Sequence, residues 1–142
     1  MTLLRRALAL LLLLGAGYVV FRDHLPPQTA LASARAISGL ALPGGTTIVS
    51  IERIGFDGPR GDGIVTVVVR LPADAFDRIA AEAARAGYRP LHDAPEAGST
   101  FLDHPIGSEG WYRQDRVDES GSSRTVVLDA GSHTILMRQV FG

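Results

Sequence analysis

An apolar segment near the N-terminus divides this chain into two parts with different surroundings. Residues 7–21 carry no charge and lie between Arg5-Arg6 and the charged pair Arg22-Asp23. An apolar run behind basic residues is typical of a membrane-targeting segment whose basic end stays in the cytoplasm. We therefore expect the chain after residue 22 to lie outside the cytoplasm, and only that part to form a globular domain.

The length of this segment, which we place at residues 1–22, leaves two fates open. A helix over residues 7–21 would span about 22 Å, short for a hydrocarbon core about 30 Å thick but normal for a signal peptide. If Arg5 and Arg6 reach toward the headgroups, residues 3–21 suffice for a retained anchor. The sequence predicts either a single-pass inner-membrane protein with a periplasmic or extracytoplasmic domain, or a secreted protein if the segment is cleaved.

Composition excludes several kinds of chemistry. The chain has no cysteine and no lysine, so disulfides, thiolate metal sites, Schiff bases and a P-loop lysine are absent. After residue 22 there are 11 arginines and 15 acidic residues, a net charge of −4. An acidic domain without a basic block is a poor nucleic-acid binder. We expect a fold that depends on packing, no cofactor and no nucleic-acid partner.

Proline and glycine mark the boundaries of the folded part. Residues 23–45 begin near Pro26-Pro27 and end at Pro43-Gly44-Gly45, which is typical of a linker. Within it, the alanine-rich residues 28–40 have apolar side chains near helical spacing and predict a short helix. Residues 46–142 are enough for one modest core, so we expect a single α+β domain there.

The domain opens with a predicted hairpin followed by a helix. Residues 46–54 and 63–71 are rich in β-formers, and apolar residues alternate with Thr66 and Arg70 in the second run, which predicts a half-buried hairpin. After Pro72, apolar residues recur at helical spacing up to Gly87, a typical helix terminator. The apolar helix positions are Phe76, Ile79, Ala80 and Ala83.

Three further strands are predicted over residues 111–117, 124–129 and 134–141, with short turn sequences between them. Short links favour an antiparallel meander. The predicted order is therefore ββαβββ, an α+β domain in which one helix packs on a face of an antiparallel sheet.

The domain resembles short uncharacterised bacterial secreted or membrane-anchored proteins. The resemblance rests on the Gly-Asp-Gly loop at residues 61–63, the helix ending Gly87-Tyr88-Arg89-Pro90-Leu91, and the strand start Gly110-Trp111-Tyr112. It covers about residues 46–142 and departs from those proteins in lacking a terminal Asp-Thr. Because they have no established activity, the resemblance supports the fold and implies no function.

The loop over residues 55–63 is a candidate ligand site. Four glycines in nine residues allow backbone N–H groups to converge on an anion, and Arg60 adds a positive charge. Asp57 and Asp62 offer carboxylates to a hard cation instead. The alternative is a hairpin connection in which glycine and aspartate only satisfy the turn.

Residues 91–110 contain a candidate metal site. His92-Asp93 and Asp103-His104 form mirrored pairs, and imidazole and carboxylate are suitable zinc ligands. Adjacent residues of a strand point oppositely, and no helical spacing holds the two histidines together. A solvated polar loop is the alternative interpretation.

Trp111 and Tyr112 are candidate interface residues, because aromatic side chains with a polar tip are favoured where proteins meet; core packing is the alternative.

The leading functional hypothesis is a non-enzymatic, membrane-tethered extracytoplasmic domain that binds another envelope protein through a sheet edge or the face opposite the helix. A more specific form is an immunity or inhibitor protein against a toxin or hydrolase. A metal-assisted hydrolase using His92, Asp93, Asp103 and His104 is the enzymatic alternative.

Overall fold

The computed structural model describes residues 30–55, 62–94, 97, 101, 103–116, 119 and 121–142. In this part the chain is an α+β fold with two helices and a six-stranded antiparallel sheet. The elements in chain order are α1 (Ala30–Ser38), β1 (Thr47–Ile54), β2 (Gly63–Arg70), α2 (Ala73–Arg85), β3 (Arg89–Pro90), a 3-10 turn (Leu91–Asp93), β4 (Gly110–Arg116), β5 (Ser123–Asp129) and β6 (Thr134–Phe141).

The strands lie in the order β1-β2-β6-β5-β4-β3, and every neighbouring pair is antiparallel. This confirms the predicted β1–β2 hairpin and the β4-β5-β6 meander. The predicted count of five strands is wrong, because the two-residue β3 joins the edge beside β4. Helix α1, from the region predicted as a linker or short helix, also packs on the sheet. The last strand lies in the middle of the sheet, where β2 pairs with it along its whole length.

The predicted membrane anchor or signal segment lies outside the described residues. No helix in the described part of the chain is both long enough and apolar enough to span a bilayer.

Helix α2 follows its sequence pattern closely. Phe76, Ile79 and Ala83 are buried against the sheet, as their spacing predicts. The helix ends where Gly87 adopts a φ of +85°, a conformation that glycine tolerates best. This turn directs the N–H of Tyr88 back to the Ala83 carbonyl oxygen at 3.0 Å. Tyr88 thereby enters the core directly after the helix.

Helix α1 confirms the short helix predicted within residues 28–40, and it packs on the same side of the sheet as α2. Its Ala34 and Ile37 are buried in the core formed by both helices and the sheet. Arg35 donates from Nε and Nη2 to the Leu42 carbonyl oxygen, which holds the chain that leaves the helix. The hydroxyl of Tyr88 donates to the Ser38 carbonyl oxygen at 2.7 Å and links the end of α1 to the end of α2.

The sheet has two covered faces. The helix face, which α1 and α2 cover, carries alternate residues of the central strands. These are Val65, Val67, Val69, Val126, Leu128, Ile135 and Met137. The opposite side, the loop face, carries Val68, Val127, Leu136 and Tyr112. A second apolar cluster therefore lies on the side that the sequence assigned to solvent.

The cover of the loop face comes from the connection between β3 and β4. Leu91, Ala94, Ala97 and Phe101 of this connection are buried against the loop face. The prediction that only one face of β2 is buried is therefore wrong, since Thr66 and Val68 on its second face are buried as well. The interpretation of residues 91–110 as a solvated loop holds for the exposed His92 and Asp93 but not for the apolar residues between the polar ones.

Candidate functional site

Strand β1 forms an outer edge of the sheet. It pairs with β2 on one side, and no described strand pairs with its other side. An outer strand presents unpaired N–H and C=O groups, to which an extended segment of another chain can hydrogen-bond. With eight residues, β1 is long enough for several such bonds.

Apolar side chains are exposed along this edge. Val49, Ile51 and Ile54 are 49%, 40% and 59% exposed, and they are the large exposed hydrophobic residues of the described part of the chain. Val49 occupies a bulge, because Ile48 is opposite Val69 while Ser50 is opposite Val68. Soluble domains usually protect an outer strand with charge, proline or a cover. Strand β1 carries a bulge and two charged residues, Glu52 and Arg53, but its apolar edge, meaning Val49, Ile51 and Ile54, has no cover among the described residues.

Two charged residues lie within the same strand on opposite sides of the sheet. Glu52 is opposite Thr66, whose side chain lies on the loop face, and Arg53 is opposite Val65, whose side chain lies on the helix face. Both charged residues are exposed. A strand added to this edge would therefore meet a negative charge on one face and a positive charge on the other.

The predicted ligand loop follows β1 directly. Asp57 and Arg60 lie outside the described residues, while Asp62 is described and exposed. Gly55 has a φ of +88°, and a Cβ there would lie 3.3 Å from the Asp62 carbonyl oxygen. This glycine therefore meets a steric need of the hairpin connection. The ligand role of the loop stays a prediction.

The predicted metal ligands are all described. His92 Nε2 lies 3.3 Å from Asp93 Oδ1, and the two side chains are 70% and 61% exposed. Asp103 is exposed, and the half-buried His104 donates its backbone N–H to the Phe101 carbonyl oxygen. Among the described residues, no group of three or more His, Asp or Glu side chains is placed to hold a metal ion. The metal site stays a prediction from sequence.

The two predicted interface aromatics lie on different faces. Tyr112 is fully buried on the loop face, and its hydroxyl donates to Gln114 Oε1 at 2.8 Å. Trp111 is half-buried and packs against the core of the helix face. Both side chains contribute to packing, and their part in an interface stays a prediction.

Sequence reasoning named a sheet edge as a binding surface but missed the residues that form it. The signal was present in β1, where Ile48, Val49, Ile51 and Ile54 break the strict alternation of a half-buried strand. Irregular alternation indicates a bulge or an apolar side chain on the exposed side. Only the pairing of β1 with its neighbouring strand shows which of these side chains lie on the exposed side.

Comparison with protein-family models, curated proteins and solved structures finds no significant match to this chain.

Proposed function

We propose that this protein is a non-enzymatic, membrane-tethered extracytoplasmic domain that binds another envelope protein by pairing strand β1 with an extended segment of that partner. The observation that carries the proposal is the apolar edge of β1 on an outer strand. Backbone hydrogen bonds to β1 would supply affinity, and the exposed side chains would supply specificity. The membrane tether is inferred from the apolar sequence of residues 3–21.

The edge is a better docking surface than the face opposite the helices. The apolar half of that face is already occupied by Leu91 and Phe101 of the chain itself. A partner there would have to displace a buried aromatic side chain, which costs several kcal/mol. Binding at β1 displaces nothing among the described residues and buries side chains that are already exposed.

The charges of β1 favour a foreign strand over a second copy of this chain. Residues directly opposite each other in an antiparallel sheet have their side chains on the same face. If a twofold axis joined two β1 strands into one antiparallel sheet, the helix faces of both copies would lie on one side of that sheet and their loop faces on the other. Glu52 of one copy would therefore never lie opposite Arg53 of the other, and some registers would place like charges together. A foreign segment with a basic residue opposite Glu52 and an acidic residue opposite Arg53 would give each of these charges an opposite charge on its own face.

Site-directed photocrosslinking in the native envelope tests the proposal. A photoreactive amino acid at Ile51 should crosslink to one extended segment of one envelope protein, whereas the same group at the exposed Ala84 of α2 should not. Crosslinking of Ile51 to a second copy of this chain, or equal crosslinking from both positions, would contradict the proposal.

A matched pair of variants then measures the contribution of the edge. In Val49→Arg/Ile54→Arg, two charges replace two exposed apolar residues, and Ala81→Arg/Ala84→Arg adds the same charge on the exposed side of α2. We expect the edge variant to weaken binding of the crosslinked segment, made as a synthetic peptide, at least about tenfold. The α2 variant should bind like the wild type. Unchanged binding by the edge variant would refute pairing at β1.

The identity of the crosslinked protein decides between the general and the more specific form of the proposal. A toxin or a hydrolase would make this chain an immunity or inhibitor protein that uses the same edge.

A further inference from the structure

We propose that the partner segment runs antiparallel to β1 and carries, from its N-terminal to its C-terminal end, an apolar, an acidic, a basic and an apolar residue opposite Ile54, Arg53, Glu52 and Ile51. This inference rests on the proposed pairing at β1 and names the sequence that the edge recognises. The same order occurs in β1 itself, where Ile51 and Ile54 enclose an acidic and then a basic residue.

Each face of β1 presents one apolar and one charged side chain to an added strand. By their register with β2, Glu52 and Ile54 lie on the loop face. By the same register, Ile51 and Arg53 lie on the helix face. All four residues are exposed. Because opposite residues of an antiparallel pair share a face, each face of the partner strand needs one apolar and one charged residue.

The two charges of β1 have no opposite charge beside them in the sheet. The β2 residues opposite them, Thr66 and Val65, are uncharged. Neither Glu52 nor Arg53 forms an ion pair with another residue that the structure describes. Strand β4 differs, because Asp115 Oδ2 there lies 3.2 Å from an arginine Nη2 of the neighbouring strand β5. A strand added on the outer side of β1 is placed to supply the missing opposite charges.

The direction of the partner strand determines the order of its two charges. Antiparallel pairing is slightly more stable per residue than parallel pairing, and every described strand pair of this sheet is antiparallel. An antiparallel partner, read from its N-terminus, meets Ile54 first and Ile51 last. Its acidic residue therefore precedes its basic residue, whereas a parallel partner needs the reverse order.

The block from Ile51 to Ile54 also supplies a probe for this order. The peptide Thr-Ile-Glu-Arg-Ile-Thr-Val-Thr carries the block, followed by residues that are favoured in strands. A free peptide belongs to no sheet, so it can turn either face toward the domain. Two whole domains cannot use the same register, because the loop face of one copy would have to continue into the helix face of the other.

The test compares this peptide with Thr-Ile-Arg-Glu-Ile-Thr-Val-Thr, which has the same composition and net charge. Each is titrated into the full chain, held in a non-ionic detergent, and the readout is the NMR signal of the backbone N–H groups of β1. We expect the first peptide to bind at least about fivefold more tightly, because the second replaces two attractive cross-strand pairs with two repulsive ones. Equal affinities, tighter binding of the second peptide, or no saturable shift with either one would overturn the proposal.

A spin label on the N-terminus of the first peptide reports its direction. In the antiparallel arrangement, the label should broaden the backbone N–H signal of Ile54 more than that of Thr47. Stronger broadening at Thr47 would contradict the proposed direction.

Exchange of the two charges in the domain assigns the preference to β1. In Glu52→Arg/Arg53→Glu, both changed residues are exposed and the net charge is unchanged. We expect this variant to bind the second peptide at least about fivefold more tightly than the first. The control Asp77→Arg/Arg78→Asp makes the same exchange on the exposed side of α2 and should keep the wild-type preference. A wild-type preference in the β1 variant would refute the charge pairing.

This inference and the proposed function are contradicted by different results. Equal affinities of the two peptides, together with crosslinking of Ile51 to one envelope segment, would refute the order of charges and leave pairing at β1 in place. Absence of that crosslink would refute the pairing itself.

Discussion

Alkaline pH should destabilise this protein through one buried tyrosine. The Tyr88 hydroxyl donates to the Ser38 carbonyl oxygen at 2.7 Å, and the ring is 4% exposed. Burial of the phenol raises the pKa of Tyr88 to about 12, although the positive charges of Arg113 and Arg124 partly offset this effect. Folding therefore favours the protonated form of this side chain.

The size of the effect follows from the difference in pKa between the two states. The unfolded chain has the ordinary tyrosine pKa of 10.0, and the folded protein has a pKa of about 12. The stabilisation from protonated Tyr88 is complete below pH 10 and is lost as the pH rises through 12. The free energy of unfolding should fall by about 1.4 kcal/mol at pH 11 and about 2.3 kcal/mol at pH 12. The chain contains no lysine or cysteine, so few other side chains titrate in this range.

Urea unfolding between pH 8 and pH 12 measures this loss. The full chain is held in a non-ionic detergent, and the fluorescence of Trp111, the one tryptophan, reports unfolding. The control is Tyr88→Phe, which should cost about 1–3 kcal/mol at pH 8 because the buried Ser38 carbonyl loses its donor. The gap between wild type and variant should narrow as the pH rises. Equal pH dependence in the two proteins would refute the argument, since Tyr88 would then not be the group that titrates.

Three further predictions concern stability and are measured by the same urea unfolding at pH 8. Gly110→Ala should cost about 3 kcal/mol or more, because Gly110 has a φ of +142° and a Cβ there would clash with the Leu128 carbonyl oxygen. Gly44→Ala, where a Cβ meets nothing within 4 Å, should change stability by less than about 1 kcal/mol, and equal effects would contradict the steric argument. Asp129→Ala should cost about 1–3 kcal/mol, because the buried carboxylate accepts hydrogen bonds from the backbone and hydroxyl of the turn before β6, and no loss would show that these bonds contribute nothing. Phe101→Ala should cost about 3–5 kcal/mol if the β3–β4 connection covers the loop face, and a loss under about 1 kcal/mol would mean that it does not.

Local features of the chain were predictable because neighbours in sequence determine them. Phe76, Ile79 and Ala83 recur at the period of a helix, and Gly87 ends it, so α2 follows from the sequence alone. The period-two pattern of β2 predicts a strand with one buried face for the same reason. Each of these inferences depends on backbone geometry over a few residues.

The burial of the second face of β2 was not predictable in this way. Val68 is covered by a connection whose apolar residues Leu91 and Phe101 are widely spaced among polar ones, and Thr66 on the same face is buried as well. Such spacing matches neither a helix nor a strand, so the sequence favours a solvated loop. The candidate docking edge was not predictable from the sequence either, because the exposure of Ile54 depends on which strands flank β1.

The sequence by itself determined the elements of this protein: an apolar N-terminal segment by composition, the helix α2 by its period, and strands separated by turn residues. Only the tertiary structure decided the order of those strands, with β6 between β2 and β5 and β1 left at the edge. The physical reason is distance along the chain. Periodicity follows from bond geometry between adjacent residues, whereas the pairing of Val68 with Leu136 and the exposure of β1 depend on contacts between segments far apart in sequence.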